Sequence, residues 1–325
     1  MGKKAYIGID VGNYDTKSAN TTTTSGFKTY PKVPYGAVDV ITVNNHTYVP
    51  TLERFPYVKD KTIDDRCFIL TLYGIAKELV DRCKDKDNDL AVKKEIEAYT
   101  DLYLGVGLPP SHMASLSENL KNYYNDKFRN GIDFIYNGIK FKLSLKQVCI
   151  YPQDYAAVVT YKPKNPDFIS NKFKDYYAID IGGYTVDVVP IHVGKPVVDG
   201  CVSLDLGVLK MFDEIENVIN RDFGYTIDAS TIESVLKDEV TICSPEEIEV
   251  IKRIAREWCD NIINKLREKG LEFNSKPVIF LGGGSKLFRK FIKENKLIRA
   301  CDFITNPRAN AVGYEKLLKA ECRNL

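Results

Sequence analysis

The stretch Tyr6-Ile7-Gly8-Ile9-Asp10-Val11-Gly12-Asn13-Tyr14 returns about half a chain later as Tyr176-Tyr177-Ala178-Ile179-Asp180-Ile181-Gly182-Gly183-Tyr184. In both copies an apolar strand runs to an aspartate and then to a glycine-bearing turn. One Asp-x-Gly turn is common at a strand end and means little alone. Two in register indicate two similar α/β domains, each opening on a β-hairpin, and predict that the hairpins face each other across a cleft.

A chain of 325 residues is long enough for two hydrophobic cores. Its hydrophobic fraction of 44% and charged fraction of 28% are ordinary for soluble globular protein. A formal net charge of +2 gives no footprint for direct DNA or anionic-membrane binding. The eight cysteines (Cys67, Cys83, Cys149, Cys201, Cys243, Cys259, Cys301 and Cys322) are scattered and include no CxxC pair. That spacing argues against a zinc framework or a disulfide scaffold and predicts reduced thiols. The chain enters its first strand without an apolar leader segment, and no apolar run nears the ~20 residues that span a bilayer. The expected location is cytoplasmic.

Working outward, residues 5–10 and 15–20 read as a hairpin, and 27–49 as short strands and turns. Phe68, Leu72, Ile75, Ala76 and Leu79 follow helical spacing behind Asp64 or Asp65. A strand over 102–108 ends at Pro109-Pro110, and a helix covers 115–127. Residues 132–150 read as two strands joined at Asn137-Gly138. A helix follows over 153–161, and 162–174, with two prolines, connects the halves. The second half repeats this order: strands at 176–191 and 196–203, then a helix at 207–221. Ser244-Pro245-Glu246-Glu247 is a helix start with N-cap, proline at N1 and a capping box. Behind it Ile248, Ile251, Ala255, Trp258, Ile262 and Leu266 form one apolar stripe, stopped by Gly270. A strand over 278–281, a glycine triplet and helices over 286–295 and 308–321 close the chain. The expected domains are 1–165, with an insert near 36–100 and completed by 306–325, and 166–305, with an insert near 205–272. The charged run Lys84-Asp85-Lys86-Asp87 reads as a solvated loop.

The chemistry-bearing residues lie on the hairpins. A triphosphate needs backbone N–H groups converging on its oxygens, and glycine lets the chain come close. Gly12 and Asn13 would supply the positive φ expected of such a turn, with Tyr14 beside them. Lys17, seven residues after Asp10, would return along the second strand to meet a phosphate oxygen. On the second hairpin Gly182, Gly183, Tyr184 and Thr185 offer backbone and a hydroxyl. Asp10 and Asp180 would face each other, which favours a cation between them. Mg²⁺, held through water, suits such lone carboxylates. Gly282-Gly283-Gly284-Ser285 follows an apolar strand and opens a helix, so its backbone could lie against adenine or ribose. Neither a Walker A loop nor a Rossmann fingerprint is present.

Together these segments resemble the actin, heat-shock chaperone and sugar-kinase superfamily. Asp10-x-Gly12 with Lys17 is similar to its first phosphate motif, and Asp180-x-Gly182-Gly183 with Thr185 to the second. Val278–Ser285 resembles the adenosine motif. Val148-Cys149-Ile150-Tyr151-Pro152-Gln153-Asp154 resembles the first connecting segment, and Asn310-Ala311-Val312-Gly313 the second, where Gly313 lets two helices cross closely. Within the superfamily the likeness is greatest to ParM-type plasmid-segregation actins. The resemblance implies an actin-like fold around a nucleotide cleft, binding of ATP (or GTP) with Mg²⁺, and slow hydrolysis. Asp10, Asp180 and Gln153 would do the catalytic work. In actins a glutamine at the place of Gln153 orients the attacking water, whereas ParM-type proteins show glutamate, so this chain departs toward the actin form. An amide positions water but cannot take its proton. The resemblance also implies head-to-tail filaments and a small DNA-binding adaptor on a plasmid centromere as partner. The alternatives are a sugar-type kinase, which would need a base such as Asp154, and a non-filamentous actin-like ATPase; a chaperone would need a further substrate-binding domain.

Overall fold

In a computed structural model of the protein, residues 2–56, 58–86, 88–161 and 174–323 are described. Asp87 and nearly all of the 162–174 connection lie outside them. The chain forms two compact units, Met1–Thr160 with Arg308–Leu325, and Tyr161–Pro307.

Unit 1 starts with β1 (Lys3–Val11), β2 (Asp15–Lys17) and β3 (Thr22–Thr24), which run antiparallel in that order. The β2 strand stops at Lys17, short of the expected Asn20, because a turn closes from Ser18 N–H to the Thr21 carbonyl. On its other side β1 pairs in parallel with β7 (Tyr99–Leu108), and β7 in parallel with β9 (Ile139–Pro152). The 14-residue β9 serves two neighbours. Residues 144–152 pair with β7, and 139–143 pair with β8 (Ile132–Tyr136). From β8 the sheet continues through β5 (Ile41–Val43), β6 (His46–Pro50) and β4 (Phe27–Tyr30). Asn137 and Gly138 make the expected tight turn, both at positive φ.

The α1 helix (Arg66–Arg82) buries Phe68, Leu72, Ile75, Ala76 and Leu79, as their spacing predicts. An unanticipated α2 (Asp89–Ala98) follows, then α3 (Met113–Lys127) and the short α4 (Tyr155–Val159). The C-terminal α10 (Ala309–Arg323) lies against β1 and α4. Two glycines permit this. A Cβ on Gly8 would lie 2.1 Å from the Ala311 carbonyl oxygen, and one on Gly313 would lie 2.2 Å from that of Ala156. The close helix crossing read from Gly313 is therefore present.

Unit 2 is built on β10 (Asp175–Ile181) and β11 (Val186–His192), antiparallel, with β12 (Lys195–Pro196) and β13 (Val202–Leu204) both pairing with β11. Parallel to β10 lies β14 (Val278–Leu281), and next to it β15 (Cys301–Phe303). All four residues of β14 are buried, as a parallel strand covered on both faces requires. The order β13-β11-β10-β14-β15 matches β3-β2-β1-β7-β9 of unit 1 in sequence and in every strand direction. The repeat seen in the sequence is a repeat of architecture.

The helices are α5 (Val208–Phe223), α6 (Ala229–Leu236), α7 (Pro245–Glu268), α8 (Gly283–Leu287) and α9 (Arg289–Glu294). The capping box forms at α7: Ser244 Oγ accepts the Glu247 N–H, and Glu247 accepts the Ser244 N–H. Ile251, Ala255, Ile262 and Leu266 are buried, while Trp258 is half-buried and donates its indole N–H to Leu206. The single helix expected over 286–295 is two, divided at Phe288, which is fully buried. No helix among the described residues is long and apolar enough to cross a membrane. All eight cysteines are free thiols.

Candidate functional site

Each unit gathers its own share of the residues singled out above. In unit 1, Asp10 near the end of β1 stands directly opposite Lys17 on β2, as the seven-residue spacing requires. The turn between them is closed by the Gly12 N–H on the Asp15 carbonyl at 3.1 Å. Neither Gly12 nor Asn13 has positive φ, and the same holds for Gly182 and Gly183, so that expectation is corrected. Glycine is needed for proximity instead: a Cβ on Gly12 would lie 2.6 Å from the Asp15 carbonyl oxygen. Closing the turn commits the Gly12 N–H. An anion here must therefore be met by the N–H groups that follow, at Asn13 and Tyr14.

Several residues without a sequence signal secure this turn. Ser25 donates its hydroxyl to the Gly12 carbonyl at 2.6 Å, and the Lys61 ammonium donates to the Val11 carbonyl. Arg54 lies over the Tyr14 ring, 3.4 Å from its centre, and donates to the Tyr14 carbonyl. The hollow bounded by Gly12, Asn13, Ser25, Lys61 and Cys67 encloses about 30 Å³, room for a water or two and no more. Burial pushes the Asp15 carboxyl up, against the pull of Lys17 and Arg54.

Behind Lys17 the chain is pinned. Glu78 of α1, wholly buried, accepts the Ser18 hydroxyl at 2.6 Å, and the Asn20 backbone and side-chain N–H groups at 2.9 and 2.8 Å. It also pairs with Arg82, which reaches Glu315 of α10 and the Tyr6 carbonyl. Burial alone would raise the Glu78 carboxyl, but Ser18, Arg82 and Asn20 hold it below its ordinary range.

Gln153 arrives from the end of β9. Its side-chain amide donates to Asp10 Oδ1 at 3.0 Å, and its backbone N–H to the Leu108 carbonyl at 2.8 Å. The helix expected from residue 153 begins at Tyr155, because Asp154 adopts φ 64°, ψ −48°. With Tyr155 N–H on Gln153 O at 2.5 Å this is a γ-turn with positive φ, a conformation costing on the order of 1–3 kcal/mol. Asp154 itself is 2% exposed. Its N–H donates to Asn310 Oδ1 at 2.8 Å. Asn310 belongs to a motif read earlier only for its glycine.

In unit 2, Asp180 pairs across the hairpin with Asp187. Gly182 N–H closes the turn on Thr185 O at 2.9 Å. The carbonyls of Gly182, Gly183 and Tyr184 are taken by the N–H groups of Val208, Leu209 and Gly207 at the start of α5. A Cβ on Gly207 would lie 2.2 Å from Gly183 O. The Thr185 hydroxyl donates to Asp187 at 2.7 Å. The glycine triplet divides its work. Gly282 has φ 84° and sits where a Cβ would meet Asp180 Oδ1 at 1.9 Å. Gly284 is packed against Ile181 and Val208, and Gly283 has no neighbour within 4 Å of where its Cβ would be. Ser285 is buried and donates back to the Gly282 carbonyl at 2.8 Å, so it shapes the loop.

Among the described residues no three Asp, Glu, His or Cys side chains form a metal-binding group. The donors present are single carboxylates beside glycine turns. They fit Mg²⁺ only in the form in which phosphates and water supply most of its ligands.

Compared with solved structures, the chain matches the archaeal actin homologue Ta0583 at a TM-score of 0.72, covering 97% of this chain and 99% of that one at 18% identity. The fold is actin-like. The Ta0583 complex with ADP gives a TM-score of 0.69 at the same 18% identity and coverage. The apo ParM protein of psk41 matches at 0.70 and 14% identity, over 99% of this chain and 98% of that one. A 15-stranded ParM filament from Clostridium botulinum matches at 0.66 and 19% identity, over 98% and 100%. The family described as "Archaeal actin homologue MreB-like, C-terminal" matches residues 178–294, which run from β10 to α9 of the actin-like fold. A search of curated proteins finds no match.

Proposed function

We propose that this actin-like chain binds ATP with Mg²⁺, hydrolyses it slowly, and polymerises head to tail into filaments in the cytoplasm. The observation that carries the reading is the Gln153 amide held 3.0 Å from the Asp10 carboxylate beside the first glycine turn. A water-orienting amide next to a metal-compatible carboxylate is what phosphoryl transfer to water needs, since such catalysis is positioning and electrostatics. Asn13, Tyr14 and Lys17 would bind phosphate from unit 1, and Gly183, Tyr184 and Thr185 from unit 2. Thr185 must then release Asp187. Gly282 and Gly283 would accept the adenosine, supported by Gly284 and Ser285. Asp10 and Asp180 would hold Mg²⁺ through water, where it neutralises charge on the phosphate oxygens. Gln153 orients the attacking water but cannot take its proton, which keeps hydrolysis slow.

The burial of Asp154 weighs against a sugar-type kinase, whose base must reach an acceptor hydroxyl. The filament and ADP-bound forms of proteins sharing the fold support self-assembly and nucleotide binding. Head-to-tail contact between identical chains gives an open helix, not a ring. The natural cargo in this reading is plasmid DNA, held through a small adaptor on its centromere. Light scattering of purified protein with Mg·ATP, Mg·GTP or no nucleotide tests the reading. Sustained scattering only with nucleotide is expected. A monomer under every condition, with sugar-dependent ADP release, overturns it in favour of the kinase.

A further inference from the structure

The turn that delivers Gln153 is held from outside itself. Asp154 at φ 64°, ψ −48° is in a region that residues other than glycine rarely keep unless their surroundings fix it. Three bonds do so. The Leu108 carbonyl accepts the Gln153 N–H at 2.8 Å, and the Val158 N–H donates to the Asp154 carbonyl at 2.9 Å. The third comes from 156 residues away, where Asn310 Oδ1 accepts the Asp154 N–H at 2.8 Å. Both partners are buried, Asn310 being 9% exposed, so neither can turn to bulk water if the other is lost. Nearby, Arg308 donates to the Ala19 carbonyl at 3.1 Å, two residues beyond Lys17. The start of α10 thus touches both the Gln153 turn and the far end of the Lys17 strand. Gly313 lets α10 come close enough to α4 for this grip.

We propose that Asn310 is a positioning residue for Gln153: by accepting the Asp154 N–H, it holds the γ-turn that aims the Gln153 amide at Asp10. The effect on rate rests on the nucleotide reading above, whereas the latch is a property of the fold and is measured separately.

The test compares wild type with Asn310→Ala, Asn310→Asp, Gln153→Ala and the double variant Asn310→Ala/Gln153→Ala. Readouts are single-turnover hydrolysis of Mg·ATP, ATP affinity, and amide hydrogen exchange at Asp154. Asn310→Ala is expected to slow hydrolysis about tenfold, a loss of about 1.4 kcal/mol in transition-state stabilisation, with ATP affinity within about threefold. Asn310→Asp keeps an acceptor oxygen and should recover most of the rate. The double variant should be no slower than Gln153→Ala, because residues acting through one another are not additive. Exchange at Asp154 should quicken at least tenfold in Asn310→Ala. A wild-type rate in Asn310→Ala, fully additive losses, or unchanged exchange would each overturn the proposal. If Asn310→Ala does not fold, Asn310→Ser, whose hydroxyl is too short to reach, takes its place in the same comparison. If wild type does not hydrolyse ATP, the nucleotide reading fails alone, and unchanged Asp154 exchange still decides against the latch.

Discussion

Asp10 of the first hairpin lies opposite a lysine, Lys17, while Asp180 of the second lies opposite another aspartate, Asp187. The two turns close by the same bond, Gly12 on Asp15 and Gly182 on Thr185. What surrounds them differs. The first is fixed by side chains from distant segments: Ser25, Arg54, Lys61 and, behind Lys17, the buried Glu78. The second is fixed by backbone, the opening N–H groups of α5. A repeated fold can thus keep a turn's geometry while changing what enforces it. The first turn draws on ionised groups from distant segments, and the second on the backbone of α5 with a local Thr185–Asp187 bond.

The largest expected consequence concerns Glu78, a buried carboxylate that secures the first hairpin from 60 residues away. Glu78→Ala should cost about 3 kcal/mol by urea unfolding, since it takes from half-buried Arg82 one of its two carboxylate partners and frees the Ser18–Asn20 turn. Its carboxyl is held below the ordinary value of 4.5 in the folded state. The stabilisation is therefore fully present above that pH and is lost as pH falls through the folded value. Glu78→Gln should flatten this acid limb of the stability curve. Matching slopes for wild type and Glu78→Gln below pH 4.5 would erase the proposed contrast.

Next come the shared aspartates. Asp10→Ala and Asp180→Ala should each lower hydrolysis about 100-fold with the fold intact, the scale of losing one preorganised electrostatic group. Normal turnover in either variant removes that hairpin from the chemistry. The turn glycines sharpen the comparison further. A Cβ on Gly12 would sit 2.6 Å from a carbonyl oxygen, but one on Gly182 would sit 3.2 Å away. Gly12→Ala should lose about 1–3 kcal/mol and Gly182→Ala under about 1 kcal/mol, read as shifts in unfolding midpoint. Equal losses would mean the turns relax alike. Smallest is the cross-strand pair. Lys17→Ala should weaken ATP binding about tenfold, and Asp187→Asn about twofold or less; the reverse ranking would exchange the two roles.

Local chemistry explains what could be read from the chain. The doubled hairpin, the Asn137-Gly138 turn, the Ser244 capping box and the Gly282 strand–loop–helix each depend on residues within a few positions of one another, and each is present. Helix α2 was missed because it buries only Ile96 and so shows no apolar face. Gly12 and Asn13 are expected at positive φ, whereas the need at Gly12 is proximity, which becomes visible only once Asp15 is placed. Arg54, Lys61 and Glu78 act on residues tens of positions away, and Asn310 on one 156 positions away. Nothing in the spacing encodes such pairings. The break at Phe288 likewise reflects tertiary burial prevailing over helical continuity.

Strand β9 carries one last consequence. Its 14 residues extend about 46 Å at ordinary strand rise. One end is stitched to the outlying strands β8, β5, β6 and β4, and the other runs straight into Gln153. The register slips once along it, leaving Lys146 as an extra residue opposite the Leu102–Tyr103 step. Mechanically the strand is a tie-rod with a single joint: a load on the outlying strands travels along one covalent backbone to Gln153, and Lys146 is where that load can be absorbed.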